Sequence, residues 1–200
     1  MPKVKVPRKS VSLDMTAMCD MAFLLLTFFM LTTQFKPQEP IAVDMPASVS
    51  ELLLPDTDVL IISVAKTGEV YFGLDGQHTK KKLLEKISEK YGLSFTPHET
   101  NEFLLLPSFG VPVGGLKKLL NMSNEERNLW KQPGIPVDST NNELYDLIVF
   151  SRMSNPKLRI AIKGDRNTNY EVISKVIGTL QDQNINKINL ITSLQNKPKL

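Results

Sequence analysis

One carboxylate in this chain stands where carboxylates are costly. Asp20 immediately precedes "MAFLLLTFFML", and from Met21 to Leu31 the only polar residue is Thr27. An ionised aspartate at the centre of a bilayer costs about 3 kcal/mol even on insertion scales. A carboxylate taken out of water is driven toward its neutral form. The chemistry such a group can perform is therefore the uptake and release of a proton. A helix turns about 100° per residue, so that relative to Thr16 the side chain of Asp20 falls at about 40° and that of Thr27 at about 20°. Gln34 returns to the direction of Thr16. All four polar residues share one narrow stripe, while Phe23, Phe28 and Phe29 fill other faces. Two readings of Asp20 follow. In the first it is an interfacial residue reaching into headgroups. In the second it is a proton-carrying carboxylate facing a partner helix or a hydrated path. Thr27 and Gln34 favour the second, because they continue a wet or protein-facing side.

No other constellation points to catalysis, and the chain reads as a non-enzyme without cofactor or metal. His78 and His98 lack a Cys, His or acidic cluster at metal-ligand spacing. "GLDG" at 73–76 is a turn and not a phosphate loop, since no lysine-serine/threonine follows it. No serine lies in a nucleophile elbow.

The element that must position Asp20 is the apolar segment itself. From Leu13 to Thr33 it is long enough to cross a hydrocarbon core of ~30 Å at 1.5 Å per residue. A signal peptide and a buried core helix are the competing assignments. "LTTQFKP" offers no small-x-small cleavage site, and two aspartates interrupt the approach to the apolar run. A lipoprotein signal would place its cysteine after the run, whereas Cys19 precedes it. The segment is therefore read as an uncleaved transmembrane helix, 13–35. Being the only cysteine, Cys19 also excludes an intrachain disulfide. The net charge of +3 is concentrated at the start: Lys3, Lys5, Arg8 and Lys9 lie in a 1–12 tail without an acid. This is not a nucleic-acid surface, which would need basic clustering elsewhere. By the positive-inside rule the tail is cytoplasmic and the chain after about residue 36 is external, in the periplasm where the cell has one.

Beyond the membrane, 36–57 is proline-punctuated and reads as an extended linker. The remainder, 58–200, reads as one domain. "DVLIISVAKTGEVYFG" is a strand, a turn and a second strand. Residues 79–92 carry Leu83, Leu84, Ile87 and Tyr91 at helical spacing, with Gly92 as the stop. Residues 141–156 predict a second helix that ends before Pro156. Residues 158–165 alternate as a strand, 168–184 form an amphipathic helix, and 187–193 close the chain as a strand. The order gives an α+β fold, a mixed sheet with helices on one face, in which the last strand, helix and strand could make a β-α-β unit. Residues 93–140 fit this plan poorly. "FLLLPSFGVPVGGLKKLL" is apolar but broken by Pro107, Gly110, Pro112 and Gly114-Gly115, and reads as a loop or insertion packed on the domain.

Three stretches together resemble the ExbD/TolR family. "VSLDMTAMCDMAFLLLTFFMLTT" is similar to the family's span, "IAVDMPAS" to its short element after the membrane, and "LRIAIKGDRNTNYEVISKVIGTLQDQNINKINLITS" to its ending. Asp14 and Ala17 stand where the family usually has Asn and Pro, and 93–140 looks like additional chain. The resemblance implies that Asp20 is the family's membrane carboxylate and proton carrier. It implies a homodimer held inside a pentameric ExbB/TolQ-like channel protein in the inner membrane. The complex would act on a TonB- or TolA-like protein that spans the periplasm.

Overall fold

Two runs rich in β-branched and aromatic residues meet as an antiparallel pair around the Lys66-Thr67-Gly68 turn, and the domain is built on them. The computed structural model describes residues 15–33, 40, 43, 47–48, 57–138, 141–165, 167–185, 187–191 and 193–194. The chain divides into two compact units, Met1–Pro37 and Gln38–Leu200. The first contains α1 (Met15–Thr32). The second begins with β1 (Ala47–Ser48), β2 (Val59–Val64), β3 (Val70–Leu74), α2 (Gln77–Tyr91) and α3 (Pro97–Leu105). There follow β4 (Ser108–Phe109), a 3-10 turn (Val113–Gly115), α4 (Leu116–Leu120), α5 (Asn124–Leu129), β5 (Val137–Asp138) and β6 (Asn141–Asn142). It closes with α6 (Glu143–Ser154), β7 (Arg159–Gly164), α7 (Tyr170–Gln181), β8 (Ile188–Leu190) and β9 (Ser193–Leu194).

The main sheet has five strands in the order β4-β3-β2-β7-β8. β3 is antiparallel to β2 and to β4, whereas β7 runs parallel to β2 and β8 parallel to β7. The fold is thus α+β with a mixed sheet, and β7–α7–β8 is the expected β-α-β unit. Register sets the core. Leu60 pairs with Leu74 and Ile160, and Ile62 with Phe72 and Ile162, so these side chains share one face. Against that face lie Leu83, Leu84 and Ile87 of α2, Leu144, Leu147 and Ile148 of α6, and Val176 and Leu180 of α7. Full burial of each such aliphatic side chain contributes roughly 1.5–3 kcal/mol. Gly92 ends α2 in the left-handed region at φ 65°, which lets Leu93 N–H return to the Ser88 carbonyl at 3.2 Å.

Two features depart from the sequence expectation. The closing strand expected over 187–193 is divided: β8 ends at Leu190, and β9 leaves the sheet to pair in parallel with β1. The expected linker 36–57 therefore contributes a strand, although most of it lies outside the described residues. The second concerns 93–140, expected as a loop or insertion packed on the domain: it packs on the domain as three short α-helices, a 3-10 turn and the two-residue strands β4 and β5. Its prolines and glycines fall at element boundaries, with Pro97 in the first turn of α3, Pro107 ahead of β4, and Gly115 at the start of α4. Phe103, Phe109, Val113, Leu116, Leu119 and Leu120 join the domain core.

Polar side chains hold this segment in place. Thr96 and Glu99 form a capping box on α3: Thr96 Oγ1 accepts from Glu99 N–H at 3.2 Å, and Glu99 Oε2 accepts from Thr96 N–H at 2.7 Å. Glu99 Oε1 also accepts from Asn121 Nδ2 at 2.8 Å, joining α3 to the end of α4. Ser123 and Glu126 make a second capping box on α5. The buried Arg127 guanidinium donates to the Leu119 and Leu120 carbonyls at 2.9 and 2.8 Å and pairs with Glu102 at 2.7 Å. Glu143, at the start of α6, reaches across to accept from Val113 N–H at 2.6 Å.

Three outcomes are expected for a fragment of residues 38–200. Circular dichroism should show a soluble domain melting in one cooperative transition. Arg127→Ala, which leaves two helix-end carbonyls and a carboxylate without their donor, should lower its stability to denaturant by about 2–3 kcal/mol, at the low end for a broken buried pair because Glu102 is partly exposed. The backbone N–H of Thr96, and then Asn121, hold the Glu99 carboxyl below its usual pKa of 4.5. A carboxylate lowered in the folded state stabilises above its unfolded pKa and loses that contribution as pH falls through the folded value. Melting temperatures of Glu99→Gln should accordingly fall less steeply than those of the parent as pH drops below about 4.5.

Candidate functional site

Leu, Phe and Met dominate the sequence of α1 and leave no helix breaker in it, so the helix runs without interruption through Thr32. Its 18 residues span about 27 Å, close to the thickness of a hydrocarbon core. By length and composition it is the one described helix able to cross a membrane. No residue of α1 is buried, and its Met, Leu and Phe side chains are exposed all round. That is the pattern of a helix whose solvent is lipid or another helix.

The unbroken helix carries Thr16, Asp20 and Thr27 on one stripe, as their spacing requires. Gln34 and Asp14 lie outside the described residues. Thr27 turns its hydroxyl back onto its own helix, donating toward the Phe23 and Leu24 carbonyls at 3.0 and 2.9 Å. Thr32 does the same with the Phe28 carbonyl at 2.8 Å, and Thr33 with that of Phe29 at 2.5 Å. Hydroxyls tolerate hydrocarbon in this way, because the helix supplies the acceptor that water no longer provides. A threonine hydroxyl keeps lone pairs that can still accept from a neighbour. Asp20 is the only acidic or basic side chain in α1. Chemically the helix offers one carboxylate that can gain and lose a proton, set on a face with two hydroxyls.

Among the described residues the domain supplies no second site of this kind. Among the described residues no three His, Cys, Asp or Glu side chains gather as a metal site. His78 and His98 are exposed in the first turns of α2 and α3. A shallow groove of about 160 Å³ between α2 and α3 is lined by Lys81, Leu84, Glu85, Ser88, Phe95 and Thr100, without convergent acid and base. The perturbed groups of the domain are structural. Burial pushes the Tyr91 phenol up, reinforced by its 2.7 Å hydrogen bond to Asp146, which also pairs with Lys90. Burial pulls the Lys80 ammonium down against the opposing charge of Asp75, while its Nζ donates to the Leu104 and Leu106 carbonyls at 3.0 and 2.6 Å. Sequence reasoning missed Glu99, Glu126, Arg127 and Glu143 as the residues that organise 93–140. Two of the contacts had a local signal, since "TPHE" and "SNEE" are capping boxes. The other two are made across the fold and had none.

Comparison with known proteins joins the two units. The family model described as biopolymer transport protein ExbD/TolR matches residues 7–195. No curated protein and no solved structure matches the chain significantly. The match takes in the membrane-length helix, the linker, the mixed sheet and the 93–140 segment alike. The family is one of non-enzymatic energy transducers in biopolymer transport, anchored in membranes, whose members work with ExbB/TolQ and TonB/TolA-like proteins. With the model matching from before its apolar, Asp20-bearing helix to the end of its small α+β domain, this chain belongs to the ExbD/TolR family.

Proposed function

We propose that this protein is a subunit of an inner-membrane motor driven by the proton-motive force, with Asp20 as its proton carrier. The observation that carries the reading is the solitude of Asp20: a membrane-length helix that turns its Thr27 hydroxyl onto its own carbonyls keeps a single ionisable carboxylate beside it. A structural anchor has no use for that group, whose charged form hydrocarbon penalises. In a proton-conducting complex the penalty is the working principle, because protonation lets the side chain face lipid or an apolar wall and deprotonation holds it to a polar one. Thr16, Thr27 and Gln34 extend the stripe toward the same partner.

The partner is an ExbB/TolQ-like pentameric channel protein, within which two copies of this chain sit as a homodimer. The basic tail keeps the N-terminus in the cytoplasm and the α+β domain in the periplasm. There the domain transmits motion to a TonB-like protein that energises active transport across the outer membrane. A TolR-like role, with a TolA-like partner and envelope integrity as the output, uses the same membrane chemistry and is separated from the first by the assay. A plain membrane-anchored binding or scaffold domain is the alternative of a different class.

Asp20→Asn is nearly isosteric and does not titrate. The variant should accumulate and co-purify with the channel partner, while proton-gradient-dependent uptake through the outer membrane, or resistance to detergent if the Tol role holds, drops to background. Full activity in both assays would leave only the anchored-scaffold reading. Thr27→Ala should reduce coupling without abolishing it, since it takes away a hydroxyl and leaves the carrier. Topology is tested separately. Protease added to spheroplasts should digest the C-terminal domain and spare the 1–12 tail; a domain that is cut only after lysis would reverse the assignment.

A further inference from the structure

The outer edge of β3 is occupied by two stretches of the 93–140 segment. Ala65 N–H donates to the Glu69 carbonyl at 2.9 Å, which fixes the alternation of the hairpin. Tyr71 and Gly73 then bond inward to β2, and Val70 and Phe72 present their backbone groups outward. The Val70 carbonyl accepts from Ile135 N–H at 2.9 Å. Phe72 lies opposite Phe109 and Gly73 opposite Ser108, both in β4. The two stretches are also tied to each other, by Gly134 N–H to the Gly110 carbonyl at 2.7 Å and by Gly110 N–H to Gln132 Oε1 at 2.6 Å.

Their approach to the strand is too close for ordinary residues. Gly134 has φ 89°, and a Cβ there would stand 3.0 Å from Glu69 Cα and from Val70 N. A Cβ on Gly110 would stand 2.4 Å from the Tyr71 ring. The covering strand is itself a poor template. β4 has two residues, with Pro107 just before it and Pro112 three residues after it. Short edge strands and residues without an N–H are the devices by which sheets resist further pairing.

We propose that residues 108–110 and 132–135 form an edge guard in cis, which denies the hydrogen-bonding edge of β3 to a second copy of this chain. This goes beyond the motor reading and does not depend on it. The guard fills the edge with chain that cannot be extended in turn, so strand addition on the β3 side stops at β4.

The test uses the full-length protein in detergent and the double variant Gln132→Ala/Gly134→Ala, which removes one tie and forces a side chain against β3. Mass by light scattering and amide exchange over residues 70–74 are measured across a concentration series. The expected result is a concentration-dependent mass at least twofold above the parent, with the outward-facing Phe72 amide unprotected when dilute and protected again when concentrated, while Tyr71 and Gly73 stay protected by β2 throughout. Faster exchange at Gly134 and Ile135 with a mass equal to the parent at every concentration would overturn the proposal. Arg127→Ala, which loosens α4 and α5 without touching the edge, should keep the parent mass. If it associates equally, general unfolding is the cause and the guard is refuted. Should the double variant fail to fold, Gln132→Ala alone is read in the same way, and absence of re-protection at Phe72 in its loosened state counts against the guard.

Discussion

A polar atom withdrawn from water must find a partner, and this requirement shapes both units of the chain. In α1 the acceptor for the Thr27 and Thr32 hydroxyls is a carbonyl of the helix itself. In the domain the described residues contain no buried side-chain nitrogen or oxygen without a hydrogen bond. An unpaired buried group would cost about 1–3 kcal/mol, a large share of the stability of a domain this size. Asp20 belongs under the same rule, and in the proposed motor its partner is a proton or a polar neighbour.

The same rule explains how a long apolar segment came to sit on a small sheet. Residues 93–140 bring Phe103, Phe109 and four core residues of α4 and its flanking turn into the domain, and with them backbone ends that must be capped. Glu99 and Glu126 cap α3 and α5 within their own turns. Arg127 and Glu143 do the rest over longer distances: one guanidinium closes the end of α4, and one carboxylate holds the 3-10 turn. Charge is spent here on joining short helices and not on chemistry. This is why the perturbed groups of the domain, Tyr71, Lys80, Tyr91, Glu99 and Glu126, each answer first to burial or to hydrogen bonds within the fold.

In the proposed motor, function divides between a helix that carries Asp20 and a domain that transmits force or binds. The helix needs only length, apolarity and one carboxylate. The domain needs a sheet whose available edges are defined, since an unguarded strand in a membrane-crowded protein would pair indiscriminately. In this chain β4 and Ile135 close the β3 side.

What the sequence determined by itself is whatever depends on neighbours along the chain. The length and polarity of α1, the stripe of Thr16, Asp20 and Thr27, the β2–β3 hairpin, the Gly92 stop and the apolar face of α7 are all set by spacing, because helix and strand periods convert sequence distance directly into direction. The capping boxes at Thr96 and Ser123 were equally local and were legible in "TPHE" and "SNEE", although the apolar run around them drew attention to its prolines and glycines as breaks. Tertiary structure alone decided the rest. The pairing of β1 with β9, the reach of Glu143 to Val113 and the seating of Gly134 on Val70 join residues far apart in sequence. Nothing in the local pattern of either partner names the other, since such contacts form only after the core has closed and each polar group must take what lies within about 3 Å of it.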